Sequence, residues 1–132
     1  MKFLCVGYFS PAKMDALPGS EVDAVMSECP PHMDAMYRSG NVELVAGVDL
    51  AARFLRRVGG RIEETESAVQ AGAERIGCVY LVEAADMADA VRIAALHPTT
   101  QIAAGEHLGW RTEIRPVGYF REGKPKIEPG EA

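Results

Sequence analysis

The chain has 132 residues, which is enough for one domain with one hydrophobic core. Its content of 48% hydrophobic and 25% charged residues is typical of a globular protein and too apolar for a disordered one. A net charge of −5, with no run of Lys and Arg, argues against a nucleic-acid partner.

The first part of the chain predicts a strand, a helical segment and a second strand. Lys2–Phe9 is almost unbroken apolar sequence, which predicts a strand and is too short to cross a membrane. A polar connection follows to about residue 19. From Ser20, apolar residues at spacings of three and four predict a helix, which Pro30-Pro31 either kinks or splits in two. Val42–Val48 predicts the second strand.

The second part predicts a hairpin, a strand, a helix and a last strand. Gly59-Gly60 lies between two strand-like runs and predicts a two-residue hairpin turn. The segment 66–75 is polar and predicts a loop. The predicted hairpin covers Phe54–Thr65 and the next strand covers Ile76–Ala84. The helix covers Asp86–Leu96 and is stopped by Pro98, and the last strand covers Arg111–Val117.

Without the hairpin, the order of elements is βαββαβ. This order predicts an α+β domain of the ferredoxin-like type, with helices on one face of an antiparallel sheet and an inserted β-hairpin. The domain is expected to cover residues 1–117. The polar tail, 118–132, is either a disordered end or an arm that lies on a neighbouring molecule.

Two helices can cover only one face of a four-stranded sheet. The first strand and Ile76–Ala84, both expected at the centre, carry apolar residues on both faces rather than alternating with polar ones. An apolar face left in water is unfavourable by about 25 cal/mol per Å². The sequence therefore predicts a homodimer in which a second copy covers this face. The alternative is that the hairpin or the tail folds over it.

The cysteines and the missing motifs limit the chemistry. Three cysteines, with no CxxC spacing, are typical of free thiols in a reducing cytoplasm. No phosphate-binding loop, dinucleotide motif or hydrolase motif is present, so no cofactor is predicted. The three histidines have no close spacing on one helix face, so no metal site is predicted either.

His32 is a candidate acid–base residue. It lies on the flank of the apolar helix stripe, one turn after Cys29, at the edge of the expected core. Asp49, just after the second strand, is the nearest plausible carboxylate to orient it. The alternative is a half-buried histidine that bonds to a backbone carbonyl, or one that is exposed on the helix.

Two further side chains are candidates for binding. His97 lies at the expected end of the second helix, directly before Pro98, where a cation is favoured by the helix dipole. The alternative is that His97 and the following Thr99-Thr100-Gln101 line the mouth of a pocket. Tyr8 could offer its hydroxyl to a cleft, although aromatic residues on central strands are more often part of the core.

Several segments together resemble the YCII-related proteins, and most closely the subgroup named for a DGPF motif. They run from Met1 to about Val117 and read KFLCVGYFSPAKMDALPGSE, CPPHM, LRRVGGR and IGCVYLVEA…DMADAVRIAALHP…EIRPV. The resemblance implies a ferredoxin-like fold paired into a dimeric α+β barrel. It also implies an active-site dyad of a helical His, which His32 in CPPHM matches, and an Asp, for which Asp49 is the candidate.

The sequence departs from the subgroup at its signature. Where TDGPF would stand, it reads Thr65-Glu66-Ser67-Ala68-Val69, so the Gly-Pro turn and the aromatic ring are absent. A pocket wall built on that motif would therefore differ here.

Three hypotheses follow for the function. The first is an enzyme that acts on a small anionic or aromatic molecule through the His32/Asp49 pair. The second is a non-catalytic small-molecule-binding or regulatory dimeric module, for which His32 would have no carboxylate within hydrogen-bonding distance. The third is a purely structural or protein-interaction dimer.

Overall fold

The computed structural model describes residues 1–66 and 73–123. Over these residues the protein is a mixed α+β structure with two antiparallel sheets. The strands are β1 (Lys2–Phe9), β2 (Val42–Gly47), β3 (Arg53–Val58), β4 (Arg61–Glu66), β5 (Arg75–Glu83) and β6 (Arg111–Pro116). The helices are α1 (Pro11–Asp15), α2 (Gly19–Ser27), α3 (Cys29–Arg38), α4 (Met87–Ala94), α5 (Pro98–Gln101) and α6 (Gly105–Leu108).

The main sheet has four strands in the order β2-β5-β1-β6. All three neighbouring pairs are antiparallel, with Cys5 of β1 lying between Tyr80 of β5 and Ile114 of β6. The predicted central strands, β1 and β5, do lie at the centre. Every predicted strand is confirmed, with its ends shifted by one residue at most.

The core lies on one face of this sheet. Phe3, Cys5, Tyr80 and Val82 are fully buried there and belong to one cluster with residues from two helices. The helical residues of the cluster are Met36 of α3 and Ala90, Ile93 and Ala94 of α4. Helices α3 and α4 therefore cover the face of the sheet on which the side chains of these strand residues lie.

The hairpin formed by β3 and β4 is a separate two-stranded sheet, as predicted. Gly59 and Gly60 form its turn with φ angles of 57° and 80°. Both angles are in the left-handed region, which glycine enters without a steric penalty. All twelve residues of the two strands are exposed, so the hairpin does not fold over the main sheet.

The helical segment after β1 differs from the prediction in two ways. Residues before Gly19, predicted as an irregular connection, contain the short helix α1. Ser10 caps this helix by accepting a hydrogen bond from the backbone N–H of Lys13, and Pro11 occupies its first turn. The two alternatives for Pro30-Pro31 are also resolved, because the chain forms two helices, with both prolines in the first turn of α3.

The second predicted helix is shorter than expected. Asp86 caps α4 by accepting a hydrogen bond from the backbone N–H of Asp89 at 2.8 Å, as its position predicts. The helix ends at Ala94 rather than Leu96. Pro98 does not only stop it but also begins α5, because proline at the first position of a helix loses no hydrogen bond.

The remaining predictions concern segments at the limits of the described structure. Of the predicted loop 66–75, residues 67–72 lie outside the described residues, while Glu66 ends β4 and Arg75 begins β5. In the tail, residues 124–132 also lie outside them. The described part places the Phe120 ring 4.7 Å from the ammonium of Lys2. Within 1–66 and 73–123, no helix is long and apolar enough to cross a membrane.

Candidate functional site

A cavity of about 310 Å³ lies at one end of the main sheet. It is bordered by the C-terminal end of β1, the N-terminal end of β5, helices α1 to α3 and the turn between α4 and α5. Its lining is mainly apolar and rich in sulfur. The lining residues are Gly7, Tyr8, Phe9, Met14, Met26, Cys29, Met33, Val48, Gly77, Cys78, His97, Pro98, Thr99 and Trp110.

Two glycines on the central strands give the cavity its shape. A Cβ atom added at Gly7 would lie 2.5 Å from Sγ of Cys78, far inside the van der Waals distance. A Cβ atom at Gly77 would lie 3.1 Å from the ring of Phe9. The glycines therefore let the thiol of Cys78 and the ring of Phe9 lie directly against the sheet backbone.

His97 is the polar group most tightly held at the cavity. Its Nδ1 accepts a hydrogen bond from the backbone N–H of Thr99 at 3.0 Å, and the Thr99 hydroxyl lies 2.5 Å from the same nitrogen. Because a backbone N–H can only donate, Nδ1 must be the unprotonated nitrogen. The imidazole proton is therefore on Nε2, which lies 3.7 Å from Sγ of Cys78.

The environment of His97 keeps the ring neutral. The residue is only 7% exposed, and burial lowers its pKa to about 4. Its ring stacks on the ring of Tyr80, with the centroids 4.7 Å apart and the planes at 2°. The stacking and the Thr99 contacts together fix the plane of the imidazole. His97 thus presents a fixed, uncharged N–H donor at physiological pH.

The two cysteines in the lining are also neutral. Burial raises the pKa of the Cys78 thiol, and it raises the pKa of Cys29 as well, with the charge of Glu28 adding to the effect. A cysteine at a helix start can be stabilised as a thiolate, but the raised pKa of Cys29 indicates an inert thiol that packs as a small apolar group. Cys29 and Cys78 are therefore not poised as thiolate nucleophiles.

No lining residue carries a full charge near neutral pH in the part of the chain that the structure describes. Tyr8, a predicted binding residue, is among the lining residues. Its hydroxyl donates to Oε1 of Glu113 at 3.3 Å, and the guanidinium of Arg111 lies 4.2 Å from the centre of its ring. The charges of Glu113 and Arg111 therefore belong to the surroundings of Tyr8 and not to the cavity wall.

The two predicted catalytic residues, His32 and Asp49, are sequence neighbours of lining residues and do not line the cavity themselves. His32 is half-buried on α3 next to the lining residue Met33, and Asp49 is exposed next to the lining residue Val48. Neither side chain forms a hydrogen bond to any residue within 1–66 or 73–123, so no carboxylate orients His32 there. The catalytic role of the pair stays a prediction.

His97 corrects one interpretation of the sequence. It is not a cation at the C-terminus of the second helix, because α4 ends at Ala94 and the ring is neutral. Instead it caps the N-terminus of α5 with its side chain. The alternative interpretation, that His97 lines a pocket, agrees with its position among the lining residues. The signal in the sequence was a polar residue directly before Pro98 at a helix start.

Thr99 was part of the same alternative and is among the lining residues, whereas Gly7 and Trp110 were not predicted as site residues. Nothing in the local pattern of a single glycine distinguishes it, because Gly7 acts through neighbours that are distant in sequence. Among the described residues, no group of three His, Cys, Asp or Glu is arranged to hold a metal ion. Nδ1 of His97 is also engaged by Thr99, which leaves this ring no free lone pair for a metal.

The fold and the cavity define a small α+β protein with an apolar, ligand-sized cavity at the end of an antiparallel sheet. The family model of the YCII-related domain matches residues 1–110, which is most of the chain. The chain therefore belongs to the YCII-related family, and this part of the sequence-based resemblance is confirmed. A search of the curated proteins finds no match.

Proposed function

We propose that this protein binds a small, uncharged and mainly apolar molecule in the cavity lined by His97. The observation that carries the proposal is the composition of the lining, in which methionine, cysteine and aromatic side chains surround one fixed N–H donor. Such a combination of apolar walls with few polar groups is typical of small-molecule sites. Methionine side chains adapt to ligands of different shape.

The lining favours an aromatic or aliphatic ligand over an anionic one. An anion in a buried apolar site requires a cation or several donors to replace its hydration. Neither Lys nor Arg is among the lining residues, and the low pKa of His97 keeps it uncharged. Of the two ligand classes expected from the sequence, the aromatic one therefore fits this cavity better.

The same geometry favours the binding hypothesis over the catalytic one. A binding module is expected to leave His32 without a carboxylate partner, which is the arrangement found in the described residues. An acid–base pair of His32 and Asp49 stays a prediction. If His32 acts on a bound molecule, His32→Ala will leave ligand affinity within about twofold but abolish any ligand-dependent chemical change.

Binding can be measured with the neutral fluorophore N-phenyl-1-naphthylamine. We expect saturable binding, seen as increased probe emission and as heat in a calorimeter. Met33→Trp, which places a larger side chain in the cavity wall, is expected to weaken binding at least tenfold. Met87→Trp is the matched control, because Met87 is exposed and outside the cavity. Equal affinities of the two variants, or no saturable binding, would contradict the proposal.

We also propose that the protein is a homodimer with a ferredoxin-like protomer, forming a dimeric α+β barrel. The strand order β2-β5-β1-β6, with antiparallel neighbours throughout, supports this topology once the hairpin is set aside. The support for the dimer comes from the sheet face opposite the helices, which we call the open face.

The open face has an apolar centre. Leu4 and Leu44 lie on either side of Leu81 and remain 38% and 49% exposed. The register extends this apolar surface with a second row, Val6, Val79 and Ala46. Val6 and Leu81 are already buried within the chain, so a second copy placed on the open face would remove mainly Leu4, Leu44, Val79 and Ala46 from water.

The oligomeric state tests the dimer. Light scattering during size-exclusion chromatography is expected to give twice the chain mass of 14.3 kDa. Leu44→Glu is expected to give monomers, because it places a charge in the contact. Leu55→Glu on the exposed hairpin is the control and should stay dimeric. A monomeric wild type at tens of micromolar, or a dimer unaffected by Leu44→Glu, would contradict the proposal.

Two finer assignments belong to the same proposal. The three cysteines form no disulfide, which supports a location in the reducing cytoplasm. Membership of the DGPF subgroup is supported by the order of the matching segments. Its signature position begins at Thr65 and Glu66, at the end of β4, and continues into residues outside the described structure.

A further inference from the structure

Among the described residues, the N–H of His97 has only a thiol sulfur as its partner. Nδ1 accepts from Thr99, so the proton is on Nε2. The contact of Nε2 is Sγ of Cys78 at 3.7 Å, and a thiol sulfur is a weak acceptor. A buried donor whose partner is a weak acceptor is stabilised less than one that is paired with an oxygen. The structure thus retains an N–H group that a stronger acceptor in the cavity could satisfy.

The surroundings of this N–H select the kind of acceptor. The ring is held by Thr99 on one edge and by Tyr80 on one face, so it cannot turn to find another partner. Because the ring is neutral, it offers no charge to offset the desolvation of a carboxylate. An uncharged oxygen with free lone pairs, such as that of a carbonyl group, meets both conditions.

We propose that the ligand of this cavity carries a carbonyl group, whose oxygen accepts a hydrogen bond from Nε2 of His97. The ligand class is a neutral ketone, aldehyde, ester or amide with an aromatic or aliphatic body. This inference rests on the proposed function, since it names the chemistry of the molecule bound at that site. Gly7 supports the arrangement, because its missing side chain keeps Cys78 and Thr99 close around the imidazole.

Two matched probes test the hydrogen bond. Acetophenone and ethylbenzene have nearly the same shape and differ in the carbonyl group. We compare their affinities for the wild type and for His97→Phe, which keeps an aromatic ring against Tyr80. The variant is expected to lose roughly 3- to 10-fold of its affinity for acetophenone, as for one neutral hydrogen bond. Its affinity for ethylbenzene should stay within twofold.

A measurement on the wild-type protein covers the case in which His97→Phe does not fold. Acetophenone labelled with ¹³C at the carbonyl is bound to the protein, and its C=O stretching band is recorded in the infrared. A hydrogen bond from His97 shifts the band to lower wavenumber than in hexane. An unshifted band, or equal losses for both probes in the variant, would overturn the carbonyl proposal while leaving the cavity proposal intact. If N-phenyl-1-naphthylamine binds the wild type but acetophenone does not, the carbonyl proposal fails and the cavity proposal stands.

Discussion

The two faces of the main sheet use the same strands for different purposes. On the covered face, Phe3 and Cys5 of β1 are fully buried beneath α3 and α4. On the open face, Leu4 of the same strand is 38% exposed, and Leu44 of β2 is 49% exposed. Apolar composition alone therefore does not distinguish a face that is buried within the chain from one that is available to a second copy.

The difference between the faces lies in where polar groups are placed. The covered face ends in the cavity, where His97 and Thr99 fix one donor among apolar side chains. Along β6 the open face is bordered by charged residues, with Glu113 beside Val6 and Arg115 beside Leu4. The covered face ends in a mainly apolar cavity with one buried imidazole in its lining. The open face has the features of a protein interface, with an apolar centre and a polar rim.

The largest expected effect comes from truncating the covered face. Phe3→Ala is expected to lower the free energy of unfolding by about 3–5 kcal/mol, because it leaves a cavity in a fully buried cluster. Urea denaturation measures the change. Leu4→Ala, one residue away on the open face, should have a clearly smaller effect in dilute protein. Equal losses for the two variants would show that the faces are equally buried.

A pH titration examines the polar end of the covered face. His97 has an ordinary pKa of 6.5 in the unfolded chain and a pKa of about 4 in the folded protein. Between these values the unfolded state binds more protons, so the free energy of unfolding falls as the pH drops from 6.5 towards 4. The loss reaches about 3 kcal/mol at the lower end and is absent above pH 6.5.

The contribution of His97 is isolated by comparison with His97→Phe. Three carboxylates have lowered pKa values because each accepts a hydrogen bond: Glu74 from Arg111, Glu83 from the N-terminal amine and Asp89 from the backbone N–H of Ala85. Both proteins therefore lose stability in acid. Only the wild type should lose the additional amount below pH 6.5. Two titratable groups contact His97, namely Cys78 and Tyr80. Both have raised pKa values and stay neutral in this range. Parallel curves for the two proteins would contradict the buried, neutral histidine.

The sequence predicted the strands well because their signal is local. Runs such as Lys2–Phe9 contain the apolar pattern, and Gly59-Gly60 contains the turn. Helix α1 was missed because its five residues carry no apolar periodicity, and only the Ser10 cap with Pro11 marks its start. Short helices of this kind depend on capping rather than on an amphipathic stripe.

The site was less predictable than the fold. The role of His97 depends on Cys78 and Tyr80, which lie on another strand and come close only in the folded protein. The sequence placed His97 at a helix end and so indicated a charged ring. In the folded protein, burial lowers the pKa of His97 and keeps the ring neutral. Gly7 was not identified either, because its importance comes from Cys78 of the neighbouring strand, 71 positions further along the chain.

Filling the space at Gly7 tests how tightly the cavity end is built. Gly7→Ala is expected to lower the free energy of unfolding by about 1–3 kcal/mol, because its Cβ would lie 2.5 Å from Sγ of Cys78. N-phenyl-1-naphthylamine binding should weaken as Cys78 moves. Gly47→Ala in β2 is the control, since its Cβ would have no neighbour closer than 4.0 Å. Similar unfolding curves for both variants would contradict a packed cavity end.

The smallest effect is expected at the open face, and it depends on protein concentration. Leu44→Ala removes a half-exposed side chain, so in dilute protein it should lower the free energy of unfolding by less than about 1 kcal/mol. In a dimer the same side chain is buried, and the effect should increase as the protein is concentrated. Urea denaturation at protein concentrations of about 1 and about 100 micromolar distinguishes an exposed Leu44 from one that is buried in a dimer. If Leu44→Ala lowers the free energy of unfolding by the same amount at both concentrations, the open face remains in water. Only association makes the contribution of a side chain on that face depend on protein concentration.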